Sequence, residues 1–250
     1  MHNTYNRKKR SLMDPTPQAL PRGSTAPRQQ LSEDVASYVR ELIISGRARA
    51  GDFLRTEPIA EAVGVSNTPV REGLLLLSGE GFVELVPRRG FMVSAFSQQD
   101  VRDIFWAQAA LAGELAGRAA KNISSAQLQH LTEIVAEHAQ AVSAGSDSDR
   151  IVRLGHEFHR TINLAADSRR LAMLLASIVK QLPNRFYNDI EGHGEDTLRD
   201  HPAILEALRK RRTKVAATLM RDHIMTGADD LIDMLEKQGL WAEEEKKSTA

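Results

Sequence analysis

Three of the eight histidines, His159, His201 and His223, sit among apolar residues at helical spacing. His159 shares a stripe with Gly155 and Ile162, His201 with Ile204, Leu205 and Leu208, and His223 with Ala216 and Leu219. A helix through each would turn its imidazole inward. Three inward imidazoles on three helices can converge on one metal ion, and imidazole suits zinc, nickel, copper or iron. The separations, 42 and 22 residues, carry no local metal motif, and hydrogen-bonded core histidines account for the same pattern.

A second group of residues is suited to nucleic acid. Ser66-Asn67-Thr68-Pro69 can open a helix that carries Arg71 on its first turns, because Ser or Thr caps and Pro fits the first turn. Asn67, Thr68 and Arg71 would then meet base edges and phosphates in the major groove. Pro87-Arg88-Arg89-Gly90 reads as a basic turn whose arginines would contact backbone or minor groove. The plainer readings are an Arg71 paired with Glu72 or Glu80, and a solvated turn.

These side chains need elements to hold them. Residues 1–29 are rich in Pro, Gly, Ser, Thr and basic residues without apolar period, and read as a flexible basic arm. Val35, Val39, Leu42 and Ile43 recur at helical spacing. Glu57 to Val63 is a short helical stretch stopped by Gly64, and the helix through Val70, Leu74 and Leu77 follows two residues later. Two short helices about a Gly turn make a helix-turn-helix. Gly81 to Val86 and Phe91 to Val93 read as strands flanking the basic turn, a wing. Residues 30–95 are thus expected to be a winged helix-turn-helix domain.

Ser97-Gln98-Gln99-Asp100 and Ser124-Ser125-Ala126-Gln127 are capping boxes. The segments 97–121, 124–144, 148–166, 169–187, 195–211 and 213–238 carry apolar stripes divided by short polar breaks. The fold expected is mainly α, with an all-α antiparallel helical bundle over 96–240 behind the winged domain and a charged tail at 241–250.

The bulk numbers are compatible with this. The 250 residues suffice for two domains, and 42% are hydrophobic without a membrane-length apolar run. The basic start, Arg7-Lys8-Lys9-Arg10, has no apolar stretch behind it, so no secretory signal is expected. Absence of cysteine excludes disulfides and thiolate zinc sites and fits a cytoplasmic location. Net charge is zero, with thirteen basic against ten acidic residues up to position 95 and twenty against twenty-three after it. That asymmetry permits a DNA-facing N-terminal half without requiring one.

Several ordered motifs carry a family resemblance. Gly64-Val65-Ser66-Asn67-Thr68-Pro69-Val70-Arg71-Glu72-Gly73-Leu74 and Gly79-Glu80-Gly81-Phe82-Val83 resemble the DNA-reading core of the GntR superfamily of bacterial regulators. Glu157-Phe158-His159-Arg160, Asp200-His201-Pro202-Ala203-Ile204-Leu205 and Met220-Arg221-Asp222-His223 resemble its subgroup with a FadR-type C-terminal domain. The likeness spans roughly residues 30–235. It implies a ligand-responsive transcriptional regulator, expected to be a repressor, that binds as a homodimer to palindromic half-sites of a double-stranded DNA operator. It implies no catalysis and no membrane partner.

The same resemblance implies a divalent metal, zinc or nickel, on His159, His201 and His223, and a small carboxylate-bearing effector. Three departures bear on it. Asn67 replaces the family's usual arginine, and Asn suits adenine or a phosphate oxygen where Arg suits guanine. Gly155 stands where an acidic ligand is usual, with His156 a possible substitute. On the stripe Ile104, Gln108, Leu111, Leu115, Gln108 replaces a common arginine and Ala112 a glutamate, so Gln108, Arg160 and Arg185 are the candidates for contacting the effector. Residues 94–100 are the expected relay between sensor and wing. A metal-dependent enzyme built on the three histidines, or a helical adaptor in which they merely pack, are the rival readings. Against an enzyme, no carboxylate is clearly placed as a general base, and neither Gly-x-Ser-x-Gly nor a phosphate loop is present.

Overall fold

A computed structural model describes residues 28–183, Phe186 and 195–241. The N-terminal part has α1 (Arg28–Ile44), β1 (Phe53–Leu54), α2 (Thr56–Val63), α3 (Asn67–Gly79), β2 (Val83–Val86) and β3 (Gly90–Val93). The rest is helical: α4 (Gln98–Asn122), α5 (Ser125–Ser143), α6 (Ser148–Ala165), α7 (Arg169–Val179), α8 (Glu195–Arg209) and α9 (Thr213–Lys237). The arm up to residue 27, Arg185, and positions 242–250 of the tail lie outside the described residues.

Local chemistry sets the boundaries. Gly64 takes φ 76°, ψ 31° and its N–H donates to the Ala60 carbonyl, closing α2 in a left-handed turn open to glycine. Ser97 and Ser124 each form a reciprocal capping box, with Asp100 and Gln127 respectively. α7 ends at Val179 and α8 at Arg209, each short of the periodic stretch read from sequence. Pro183 disfavours helix at the residue before it, and Arg211 adopts a left-handed φ of 56°.

The sheet runs β1-β3-β2, all antiparallel, with Phe53 opposite Met92 and Val83 opposite Val93. β1 is absent from the sequence reading because two residues have no alternation to detect, and only pairing with β3 defines them. The wing hairpin stands as expected, its tip carrying Arg88 at φ 63° and Gly90 at φ 100°.

The winged-domain core of Val35, Val39, Ile43, Ile59, Val70, Leu74 and Leu77 continues into Val101, Phe105, Leu182, Phe186, Leu231, Ile232, Leu235 and Trp241. Winged domain and bundle therefore share one apolar interior. Trp241, placed in the charged tail from sequence, is buried, and its indole N–H donates to the Phe96 carbonyl at 2.7 Å. The Phe96 ring in turn stacks on Phe82 at 5.3 Å, where the wing begins.

A second core of Leu115, Ala116, Leu131, Phe158, Ile162, Ile204, Leu208 and Met220 fills the bundle. α4 is its axis and packs against α6, α7, α8 and α9. A Cβ at Gly113 would stand 2.8 Å from the Ala217 carbonyl oxygen, so glycine there is what lets α4 and α9 approach. Among the described residues no helix is long and apolar enough to cross a membrane.

Candidate functional site

Packing α6, α8 and α9 around α4 brings His159, His201 and His223 to one point. Nε2 of His223 lies 3.2 Å from Nε2 of His201 and 3.4 Å from Nε2 of His159. One ligand nitrogen from each lies within 4.8 Å of the others. Donors 2.0–2.1 Å from a zinc ion at tetrahedral angles stand roughly 3.3–3.4 Å apart, so the two measured separations match a shared ion.

The surroundings select the required protonation state. Nδ1 of His223 faces a carboxylate oxygen of Asp200 at 3.3 Å. A carboxylate only accepts, so Nδ1 carries the proton, and in the neutral ring Nε2 then presents a lone pair to the centre. This is the carboxylate–histidine arrangement that orients a metal ligand. In the sequence Asp200 is only the first residue of the Asp200–Leu205 motif, and the packing of α8 against α9 gives it this role.

His201 is 2% exposed and covered on one face by Phe158, whose ring stacks at 4.0 Å. Burial, then the neighbouring His159, His223 and His138, hold the His201 pKa well below the usual 6.5. His159 is shifted the same way, by burial first and then by His223 and His156. Both are neutral near pH 7, as ligation requires. The donor set of three imidazoles with an outer carboxylate therefore fits a divalent metal. His156 is exposed on α6 and is not one of the three converging residues.

The depressed histidine pKa values carry a stability consequence. The unfolded chain binds more protons than the folded one between the folded pKa values and 6.5, so stability rises with pH across that window. In chelator, the thermal midpoint is expected to fall as pH drops from 7 towards 5, with a shallower fall in His201→Gln. A wild-type midpoint that held or rose on acidification would contradict the assignment.

The residues expected to meet DNA lie on α3 and the wing. Ser66, Asn67 and Thr68 are exposed at the leading end of α3, and Arg71 is exposed one turn on. Glu72 is taken by Arg28 and by the Ser32 hydroxyl, the latter at 2.8 Å. Glu80 holds Arg40 through two bonds of 2.7 and 2.8 Å. Both acidic residues that could have neutralised Arg71 are thus engaged elsewhere, and Arg71 has no polar partner among the described residues. Pro69, in the Ser66–Pro69 stretch expected to lie against DNA, is buried and serves the start of the helix instead of offering a contact surface.

At the wing, Arg88 and Arg89 are both exposed, but the Arg89 guanidinium lies over the Phe53 ring at 4.2 Å. Arg88 is the freer of the two at the tip. Of the effector candidates, Gln108 is buried on α4 and Arg160 is exposed on α6.

With this geometry in view, the comparisons with known proteins are concordant. Residues 31–93 match the model of "Bacterial regulatory proteins, gntR family", and residues 103–226 match that of the FCD domain. The chain is 24% identical over 203 residues to the uncharacterised HTH-type transcriptional regulator YdhC of Bacillus subtilis, covering 80% of this chain and 91% of that protein. It is 23% identical to the HTH-type transcriptional repressor RspR of Escherichia coli, covering 88% and 96%. It is 26% identical to the Glc operon transcriptional activator of Escherichia coli, covering 83% and 91%. Among solved structures, Escherichia coli McbR/YncC superposes with a TM-score of 0.58 at 21% identity, covering 83% of this chain and 98% of that one. That likeness supports the fold.

Proposed function

Because the chain belongs to the GntR family of bacterial regulatory proteins and carries an FCD effector domain, it is a DNA-binding transcriptional regulator, and we propose that it is a homodimeric repressor whose operator affinity is set by a small carboxylate-bearing metabolite. The observation that carries the DNA half is the exposed, unneutralised Arg71 on the leading turns of α3. Asn67, Thr68 and Arg71 read base edges and phosphates, while Ser66, Arg88, Arg89 and Gly90 meet the backbone.

One such domain covers a half-site, so two copies on a palindrome are needed for useful affinity. Trp106 on α4 and Met173 and Leu174 on α7, the helix packed along it, are more than half exposed. Apolar area of this kind is what a second copy covers. Repression is the proposed sense, since a seated dimer excludes other proteins from its base pairs, whereas activation demands a further contact. The similar proteins include a repressor and an activator.

On the sensing side, His159, His201 and His223 would hold a divalent metal, zinc or nickel, and Asp200 orients His223. When bound, the ion supplies positive charge and open positions for a carboxylate. Gln108 is buried on α4, which packs against all three histidine-bearing helices, and is better placed than exposed Arg160 to meet the metabolite. An effector that favours one arrangement of bundle and reading head shifts operator affinity by its difference in affinity for the two. α9 is the mechanical link, since it carries His223 and, further along, Leu231, Ile232 and Leu235 in the shared core.

Arg71→Ala is expected to weaken specific operator binding by about 1–3 kcal/mol, roughly 5- to 150-fold, in a mobility-shift titration. The same titration should saturate at two chains per palindrome. Unchanged affinity refutes the reading head, and saturation at one chain refutes the dimer.

A further inference from the structure

Beside the histidine cluster lies a fourth imidazole that the proposed function does not use. His138 on α5 is 2% exposed, and its Nε2 is the one fully buried side-chain nitrogen or oxygen among the described residues without a hydrogen-bond partner. Its ring stands 5.8 Å from that of His201 at an interplanar angle of 52°. Burying an unpaired imidazole nitrogen is unfavourable, and such a group in a native protein calls for a partner.

A cavity of about 20 Å³ adjoins it, with His138, Thr197 and His201 as its polar lining among otherwise apolar residues. One water molecule needs roughly 10–15 Å³ and two to four polar partners. The space therefore suffices for one small hydrogen-bonding group. Thr197 is itself buried, at 3% exposure, and brings a hydroxyl to the same wall.

His201 has a requirement that this cavity can meet. Its Nε2 faces His223 at 3.2 Å, so ligation through Nε2 obliges Nδ1 to carry the ring proton. A ligating histidine almost always donates that second N–H to an acceptor, which fixes both tautomer and ring angle. For His223 the acceptor is Asp200. No carboxylate lines the cavity beside His201, whose neighbours there are His138 and Thr197.

We propose that His138, Thr197 and His201 enclose a single-water site, through which His138 acts as a positioning residue for the His201 ligand. The Nδ1–H of His201 donates to the water, the water donates to Nε2 of His138, and the Thr197 hydroxyl completes its shell. His223 is thus oriented by a charged acceptor and His201 by a neutral relay. This inference rests on the metal reading of the three histidines and adds a residue that lies outside the ligand set.

The test is zinc affinity of the full chain, measured by competition with a chromophoric chelator alongside thermal unfolding in chelator. His138→Leu is expected to weaken zinc roughly 10- to 100-fold, the range for loss of an outer partner. Its unfolding midpoint in chelator should stay close to that of wild type, because leucine fills a similar volume and the water keeps Thr197 and His201 as partners. His138→Gln, which keeps a polar group at that depth, is expected to recover most of the affinity. Thr197→Val, of nearly the same shape, should weaken zinc in the same direction and reads the site even if His138→Leu does not fold. Zinc held tightly by wild type and equally by both the leucine and the valine variants overturns this inference alone. A wild-type chain that binds no zinc overturns the metal reading with it.

Discussion

His159→Ala protein is expected to emerge from dialysis with essentially no bound divalent metal, where the wild type retains about one ion per chain. The ion would rest on three neutral imidazoles, and Nε2 of His159 lies 3.4 Å from Nε2 of His223. Loss of an outer-shell partner alone costs roughly 10–100-fold in metal affinity. Removing a donor outright should exceed that range. His159 is partly buried at the edge of the cluster, whereas His201 is fully buried under Phe158, so alanine at 159 tests ligation with the smaller packing penalty. Elemental analysis of the dialysed proteins decides it, and equal metal content in the two would sink the metal centre. Asp200→Asn should show an intermediate loss, because it leaves the ligand in place and removes only the charge that orients it.

The second large effect is expected at the far end of α9. Trp241→Ala should destabilise the chain by about 3–5 kcal/mol, the range for deleting a large buried aromatic. Trp241 is 7% exposed and belongs to the apolar interior shared by the reading domain and the bundle. Its N–H also holds the Phe96 carbonyl, and Phe96 stacks on Phe82. The contact therefore ties the end of α9 to the connecting segment and, through it, to the base of the wing.

A functional loss should accompany the loss of stability. In protein still folded at low temperature, the variant should bind operator but respond less to effector, since α9 no longer moves Phe96 with it. Denaturant unfolding measures the first part, and operator titrations with and without effector the second. Stability within about 1 kcal/mol of wild type would show that the aromatic is dispensable to the shared core. Trp241 thus holds, through the Phe96 carbonyl, the segment 94–100 that the sequence suggests as the relay.

Other features of the chain were readable because they are local. Each capping box is a four-residue pattern whose hydrogen bonds close within one turn, so Ser97 and Ser124 announce the starts of α4 and α5. Gly64 between two short apolar stripes announces the turn of the helix-turn-helix in the same way. β1 and the early end of α7 were not readable, the first because its partner lies nearly forty residues on, the second because apolar spacing continued past Val179.

For the candidate sites the division follows the same physics. By itself, sequence determined that three histidines face inward on three helices, that Arg71 rides the leading turns of a capped helix, and that two basic residues tip a hairpin. Each of these statements depends on periodicity and capping within a few residues. Only the tertiary structure decided that the imidazole nitrogens meet within 3.2 and 3.4 Å, that Asp200 backs one of them and that His138 adjoins another. It also decided that Glu72 and Glu80 turn to Arg28 and Arg40, which leaves Arg71 without a carboxylate partner among the described residues. Helical periodicity reports the face a side chain occupies, but the meeting of faces depends on how helix volumes pack, as where Gly113 lets α4 and α9 close to contact.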